Sequence, residues 1–307
     1  MKLKIIEDKD LLNHLDKLPS DSLVPFLLEG GALRGGFISA TRMVNQMRVN
    51  HGLGILESLV LGHAAMGAGL LSSNLKGGDK YGLKIECGGP IRGLTAEADY
   101  EGNVRGSLFE NPIPVTEPLK DFNLSPFFGP GFLTVSKYHG TSAEPFSGQV
   151  MIEHGNIAQD LALYFKQSEQ TPTAFSLSVD FDSTGRVVGA GGLFLQVMPG
   201  ASEETAGAVQ DTVLGLPSIG KALAGGLKPE EFLASHFSGF GLNILDGRDV
   251  RFFCGCTRER FSSFLASMSE KEKSSILNEG PFPMQAVCHN CGTTYTYEKG
   301  ELETLLR

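Results

Sequence analysis

Basic tracts, long uncharged apolar runs and evenly scattered cysteines are all missing from this chain of 307 residues, and tryptophan does not occur. The longest apolar stretch, Ile55 to Leu71, is interrupted by Glu57 and His63. It is too short and too polar to cross a bilayer, which takes about 20 apolar residues. The opening M-K-L-K-I-I-E-D-K-D lacks the apolar centre of a signal peptide, so the expectation is a cytoplasmic protein with no membrane partner. Net charge is −9, and residues 201–307 hold ten basic against fourteen acidic side chains. No extended surface is therefore suited to tracking phosphates, which argues against a nucleic-acid partner. The seven histidines form no H-x-x-x-H pair. Nor can a nucleophile–base set or a carboxylate pair be argued from spacing. No catalytic residue is assigned, and the expectation is a protein that is not an enzyme.

What is abundant is glycine, 39 residues, which is well above the usual ~7%. The length allows about two domains, and the pattern reads as α+β: an N-terminal sheet domain packed with helices, a helical linker and a small C-terminal metal module. Within residues 1–200, a short helix is expected around Leu11–Leu18 and mostly helix over 38–75. Strands are expected at 81–87, 92–100, 131–138 and 147–153, and the five prolines of Asn111–Pro130 mark an irregular connection. Ile157, Leu161, Tyr164 and Phe165 form one helical stripe. Phe175, Leu177, Val179 and Phe181 alternate with polar residues as in a half-buried strand, whereas Val187–Met198 is apolar on both faces and so belongs at the centre of its sheet.

Pro199-Gly200 marks a boundary. Residues 201–252 keep helical spacing but are broken by Gly207, Gly215, Pro217, Gly220 and Gly225-Gly226. Inside a helix glycine costs ~1 kcal/mol and proline ~3 relative to alanine. These helices should depend on docking against something else, which makes the segment a metastable linker. From 253 to 307 a small module follows, with Phe261, Phe264, Leu265 and Met268 on one helix and a capping box at Ser269–Glu272 opening a second. About 55 residues supply too little apolar mass to be secure without a staple.

The staple is in the cysteines. Of five, Cys87 stands alone and four fall in Cys254-Gly-Cys256 and Cys288-His-Asn-Cys291-Gly292. That distribution excludes a secreted disulfide scaffold; in a reducing compartment, clustered cysteines are metal ligands or redox groups more often than structural disulfides. Two short-bite pairs bracketing a helical hairpin can converge on one Zn²⁺, which takes four thiolates tetrahedrally at ~2.3 Å. Spacing alone leaves two readings open, a purely structural zinc site and a thiolate switch that oxidation can dismantle.

The wording of these segments narrows the choice. F-F-C-G-C-T-R-E-R (252–260) and V-C-H-N-C-G (287–292) resemble the C-terminal redox module of the heat shock protein 33 family, the 33 kDa chaperonins. F-S-G-Q-V (146–150), Y-F-K-Q-S-E-Q-T-P-T (164–173), G-G-L-F-L-Q-V-M-P (191–199), Leu75-Lys76, Gly89-Pro90 and Val104-Arg105-Gly106 fit the same family in the same order. The resemblance covers essentially the whole chain. Cys87 departs from it, standing before Gly88-Gly89-Pro90 where the family more often has Gly-Asp-Gly-Pro. The resemblance implies an ATP-independent holdase chaperone, inactive while Cys254, Cys256, Cys288 and Cys291 hold one Zn²⁺. Oxidation would join Cys254 to Cys256 and Cys288 to Cys291, expel zinc, unfold the module and release the linker. It further implies unfolded proteins as clients, transfer to the heat shock protein 70 system, and a homodimer when oxidised. Apolar linker residues, Val209, Val213, Leu214, Phe232 and Leu233, are the candidate client-binding side chains.

Other signals are weaker. Gly215–Lys221 nearly spells a phosphate-binding loop, but Ala222 stands where the magnesium-holding hydroxyl belongs and no strand precedes it. His289 could compete as a ligand, yet four thiolates already complete a zinc site. Cys87 reads as a small buried hydrophobe. Arg258, Glu259 and Arg260 could either steady the thiolates or cap the next helix. Two rival functions remain to be tested, a zinc-ribbon nucleic-acid protein and a thiol–disulfide oxidoreductase using Cys288-x-x-Cys291. The first lacks flanking basic clusters and the second lacks a βαβ context.

Overall fold

A computed structural model describes residues 1–115, 121–140 and 144–306. The chain opens with α1 (Lys9–Leu15), the hairpin β1 (Ser22–Leu28) and β2 (Leu33–Ser39), and two consecutive helices, α2 (Thr41–His51) and α3 (Ile55–Ser72). An antiparallel run follows: β3 (Lys80–Cys87), β4 (Gly93–Asp99), β5 (Asn103–Leu108), the short α4 (Ser125–Phe128), β6 (Gly131–Tyr138) and β7 (Phe146–Met151). Helix α5 (Ile157–Gln167) leads to the hairpin β8 (Thr173–Phe181) and β9 (Val187–Val197). Next come α6 (Glu203–Leu214), α7 (Ile219–Ala224), α8 (Pro229–Phe237) and three two-residue strands, β10 (Asn243–Ile244), β11 (Arg248–Asp249) and β12 (Arg251–Phe252). The tail holds α9 (Arg258–Ala266), α10 (Glu270–Glu279), the hairpin β13 (Met284–Val287) and β14 (Thr294–Tyr297), and α11 (Lys299–Leu305).

Two large sheets sandwich α3. The first runs β10-β1-β2-β9-β8, with β11 also on β1; the second runs β12-β5-β4-β3-β6-β7. Because α3 is covered on all sides, its sequence is apolar all round, and Leu56, Leu59, Val60, Leu61, Ala64, Ala65 and Leu70 are all buried. It is long and apolar enough to cross a membrane, but 89% of it is buried inside the protein. Its two polar interruptions are accommodated. Glu57 accepts the Ile113 backbone N–H at 2.7 Å, and burial pushes His63 down to about 4, keeping the ring neutral. A Cβ on Gly69 would meet Ile38 at 2.6 Å and one on Gly67 would meet Leu161 at 2.9 Å. Those two glycines let β2 and α5 lie close against the helix.

The region read as helical over 38–75 holds α2 and α3, separated at Gly52, which has φ 67° and closes α2 with a left-handed turn. The expected strands all form, and β9 lies between β2 and β8 with both faces covered. Within residues 1–200, three strands escaped the sequence reading. In β1 and β2 the pattern is broken by Pro25, Gly35 and Gly36, yet Phe26 lies directly across Gly35 in the register and fills the space its missing side chain leaves. The third, β5, carries Gly106 in its middle. Residues 116–120 of the Asn111–Pro130 connection lie outside the described residues; the rest is bends and loop apart from α4.

The linker docks on the outer face of the first sheet. Val209, Val213, Ile219, Leu223, Phe232, Leu233 and Phe237 form a second core with Val24, Phe26, Leu28, Leu33, Phe37, Leu193 and Leu195. Of the five candidate client residues four are therefore buried; Leu214 is 76% exposed. The last ten residues of 201–252 correct the helical reading: β10 and β11 pair with β1, and β12 pairs with β5. In the tail, Leu265 is buried but Phe264 is 62% exposed, so the stripe on α9 is narrower than its spacing suggested. The capping box forms, with Ser269 accepting from the Glu272 N–H and Glu272 accepting from the Ser269 N–H.

Candidate metal centre

The approach to the cysteines is set by β5. The short β12 pairs with it in parallel, Phe252 opposite Val104, and the Phe253 N–H donates to the Val104 carbonyl at 2.9 Å. The next residue is Cys254. Thr257 then starts α9, its hydroxyl accepting the Arg260 N–H at 3.2 Å. On the other side the β13–β14 hairpin turns through Cys288–Cys291. Cys288 N–H donates to the Thr293 carbonyl at 2.9 Å, and the N–H groups of Cys291 and Gly292 return to the Cys288 carbonyl at 3.2 and 2.8 Å. Gly292 has φ 65° and lies against the backbone of Asn50, where a side chain would push the knuckle off α2.

Together these turns place all four Sγ atoms within 4.8 Å of one another, each residue buried. Cys254 and Cys288 are 3.8 Å apart and Cys256 and Cys291 3.4 Å. A tetrahedron with ~2.3 Å zinc–sulfur bonds has edges of about 3.8 Å, whereas a disulfide needs ~2.05 Å. The spacing is that of a metal cage, and the four residues fit zinc. The cluster is closed, with four donors and no place for a substrate. The S–H groups of Cys288 and Cys291, and after them Arg105, hold Cys254 well below the ordinary thiol range. The same hydrogen bonds to Cys254 keep Cys288 above that range and push Cys291 up to about 11. A divalent cation would bind all four as thiolates and displace their protons.

Several supporting side chains were not singled out as part of the site in the sequence. Tyr295 lies 3.4 Å from Cys256 Sγ and donates to the Cys256 carbonyl at 3.0 Å. Thr293 Oγ1 is 3.2 Å from Cys291 Sγ, and Asn50 donates to the Cys291 carbonyl at 3.0 Å. Arg105 donates to Cys254 Sγ at 3.6 Å from 149 residues away. Only the period-two pattern of Tyr295 and Tyr297 could have signalled any of these.

The flanking charges have separate duties. Arg258 makes a two-pronged pair with Glu301 at 3.0 Å and covers the Tyr297 ring at 4.6 Å, stapling α11 to α9. Arg260 donates to the Gly255 carbonyl at 3.1 Å, and Glu259 lies in the first turn of α9. His289 is exposed on the knuckle and is not part of the cluster. Cys87 ends β3, half-buried and outside the cluster, its thiol pushed up by burial. Lys221 of the Gly215–Lys221 segment sits in α7, which Ser218 caps, with α6 rather than a strand before it.

The family model described as Hsp33 protein matches residues 21–298. This chain belongs to the Hsp33 family. Among curated Hsp33 relatives, the 33 kDa chaperonin of Ruminiclostridium cellulolyticum is 34% identical over 291 residues, covering 94% of this chain and 98% of that one. The Geobacter sulfurreducens 33 kDa chaperonin is 31% identical over 294 residues, covering 95% and 97%. A crystal structure of the 33 kDa chaperonin from Thermotoga maritima superposes with a TM-score of 0.84 at 32% identity, covering 93% of this chain and 97% of that one. The fold is thus that of an Hsp33-type chaperone with a four-cysteine cluster in its C-terminal region.

Proposed function

We propose that this protein is a redox-gated, ATP-independent holdase, built as a core domain (1–200), a metastable linker (201–252) and a zinc-binding switch module (253–307). The carrying observation is the set of four buried sulfurs at metal-cage spacing, placed just after a linker whose apolar side chains are hidden against the first sheet. Zinc, when bound, would offset half the charge of the four thiolates and join the two knuckles. Cys254, Cys256, Cys288 and Cys291 would hold it, and Thr293, Tyr295 and Asn50 would keep their backbones in place.

Oxidation by hydrogen peroxide would join Cys254 to Cys256 and Cys288 to Cys291, a pairing taken from the family resemblance. Each thiolate pair passes two electrons to one peroxide, whose two oxygens take up two protons from solvent and leave as two waters, while the zinc ion departs into solution. Both disulfides are local, closing short loops that do not tie the first knuckle to the second. With no thiolates left to hold metal, the module has little to fold around: α10 buries no residue fully and α9 only Leu265. Loss of the module removes the anchor that β12 makes on β5 at the downstream end of the linker. Val209, Val213, Phe232 and Leu233 would then leave the second core and, with the already exposed Leu214, present apolar surface to unfolded clients.

This reading assigns no catalytic residue. Its partners are unfolded proteins, a second copy of the chain in the oxidised state and the heat shock protein 70 system for client transfer. The reducing cytoplasm is the compartment that would hold the cluster reduced until stress. The test is suppression of aggregation of a chemically denatured protein, with zinc-loaded and peroxide-treated samples compared. The oxidised form is expected to suppress aggregation near stoichiometry and the zinc form not at all; equal suppression would remove the switch.

A further inference from the structure

Arg105 projects from the core sheet to the cysteine cluster, and its orientation is fixed before it gets there. It faces Glu97 across the β4–β5 register, donating to Glu97 Oε2 from Nε at 2.9 Å and from Nη2 at 2.6 Å. Both side chains are about three-quarters covered, at 27% and 26% exposure. One edge of the planar guanidinium, Nε and Nη2, is thereby used, leaving Nη1 directed at Cys254 Sγ, 3.6 Å away. The preceding residue, Val104, accepts the backbone N–H of Phe253. Two adjacent residues of β5 therefore hold the chain entering the first knuckle and the first sulfur of that knuckle.

A cationic donor at this sulfur has two chemical consequences. Four thiolates around a divalent metal carry a net charge of −2, which a guanidinium partly offsets. A hydrogen bond also withdraws electron density from sulfur, and a less basic sulfur is a poorer nucleophile toward an oxidant. We propose that Arg105 is a positioning residue of the switch: held by Glu97, it ties Cys254 to the core sheet, tightens zinc and slows attack of peroxide on that sulfur. The inference rests on the zinc-switch reading and extends it, because the peroxide threshold becomes a property of the core sheet as well as of the module.

The test compares the full-length wild-type chain with Arg105→Gln, Glu97→Gln and the double variant Glu97→Gln/Arg105→Gln. The double variant leaves no uncompensated carboxylate and keeps the comparison usable if the single Arg105→Gln chain fails to fold. Competition with a chromophoric chelator should show zinc held about 10–100-fold more weakly once Arg105 is gone, the usual effect of removing a partner of a metal ligand. Zinc release under peroxide should be several-fold faster. In the cobalt-substituted chains the sulfur-to-metal charge-transfer band should move to lower energy, which a purely structural ion pair would not cause. Glu97→Gln, which retains the cation, should show the smaller change in all three. Affinity, release rate and band position within twofold or unshifted in the double variant would overturn the role of Arg105 while leaving the switch intact. A wild-type chain that keeps its zinc through peroxide would overturn the switch, and the affinity and cobalt readings would still decide what Arg105 does to Cys254.

Discussion

Cys288→Ser should leave the module from 253 onward unfolded and the chain active as a holdase without any oxidant. The expected size follows from what remains when the cage is opened. Structural zinc contributes on the order of 10–16 kcal/mol to the folding of small finger peptides, and a module of about 55 residues has only a few kcal/mol of its own. Here the tail buries Leu265, Tyr295, Tyr297, Leu302 and Leu306 besides the four cysteines, while α10 contributes no fully buried side chain. Loss of one ligand also leaves three sulfurs, which cannot close a tetrahedral zinc site. Zinc content measured with a chelator should fall below one per chain, and amide exchange should show the 253–306 protons open. A Cys288→Ser chain that retained one tightly held zinc with protected amides would contradict the assignment of that ligand.

The second large effect separates the linker from the metal. Phe37→Ala empties the dock without touching the linker: Phe37 is fully buried, and its ring lies 5.1 Å from that of Phe232. Phe232→Ala removes the other partner, which also stacks on His236 at 4.4 Å. Each truncation should cost about 3–5 kcal/mol, an amount that the short helices α6 to α8, interrupted by Gly207, Gly215, Pro217, Gly220 and Gly225-Gly226, cannot absorb. In both variants the linker should become sensitive to protease while zinc stays bound, and the Phe37→Ala chain should suppress aggregation in its reduced form. Leu214→Ala, by contrast, alters a side chain already in solvent and should stay within about 0.5 kcal/mol of the parent. If Phe37→Ala left the reduced chain silent with an exposed linker, release of the linker would not be what activates it.

How far the sequence carried this picture depended on the range of each interaction. Features written in neighbouring residues were legible: the helical stripe ending at Tyr164-Phe165, the alternation of β8, the two-sided apolar β9, the capping box at Ser269 and the short-bite cysteine pairs. The breaks between α6, α7 and α8 were legible too, because glycine and proline act locally, although the end of that segment as strands on β1 and β5 was not. What escaped depends on partners distant in the chain. Gly35 reads as a strand breaker until Phe26 is seen filling its place. Arg105 reads as one charge in a strand until Glu97 turns it toward a sulfur 149 residues away. Nothing near Asn50 indicates that it holds the carbonyl of Cys291. Phe264 failed in the opposite sense: its spacing is right, but the module is too thin to cover it.

The most direct single test is native mass spectrometry of the reduced, zinc-loaded chain before and after mild peroxide. The account predicts one zinc per chain at the start. Afterwards it predicts no zinc and a polypeptide four hydrogens lighter than the reduced metal-free chain, with peptide mapping placing the disulfides at Cys254–Cys256 and Cys288–Cys291. Zinc retained with intact thiolates under peroxide that oxidises exposed methionines would contradict it and leave the four cysteines with a structural role alone.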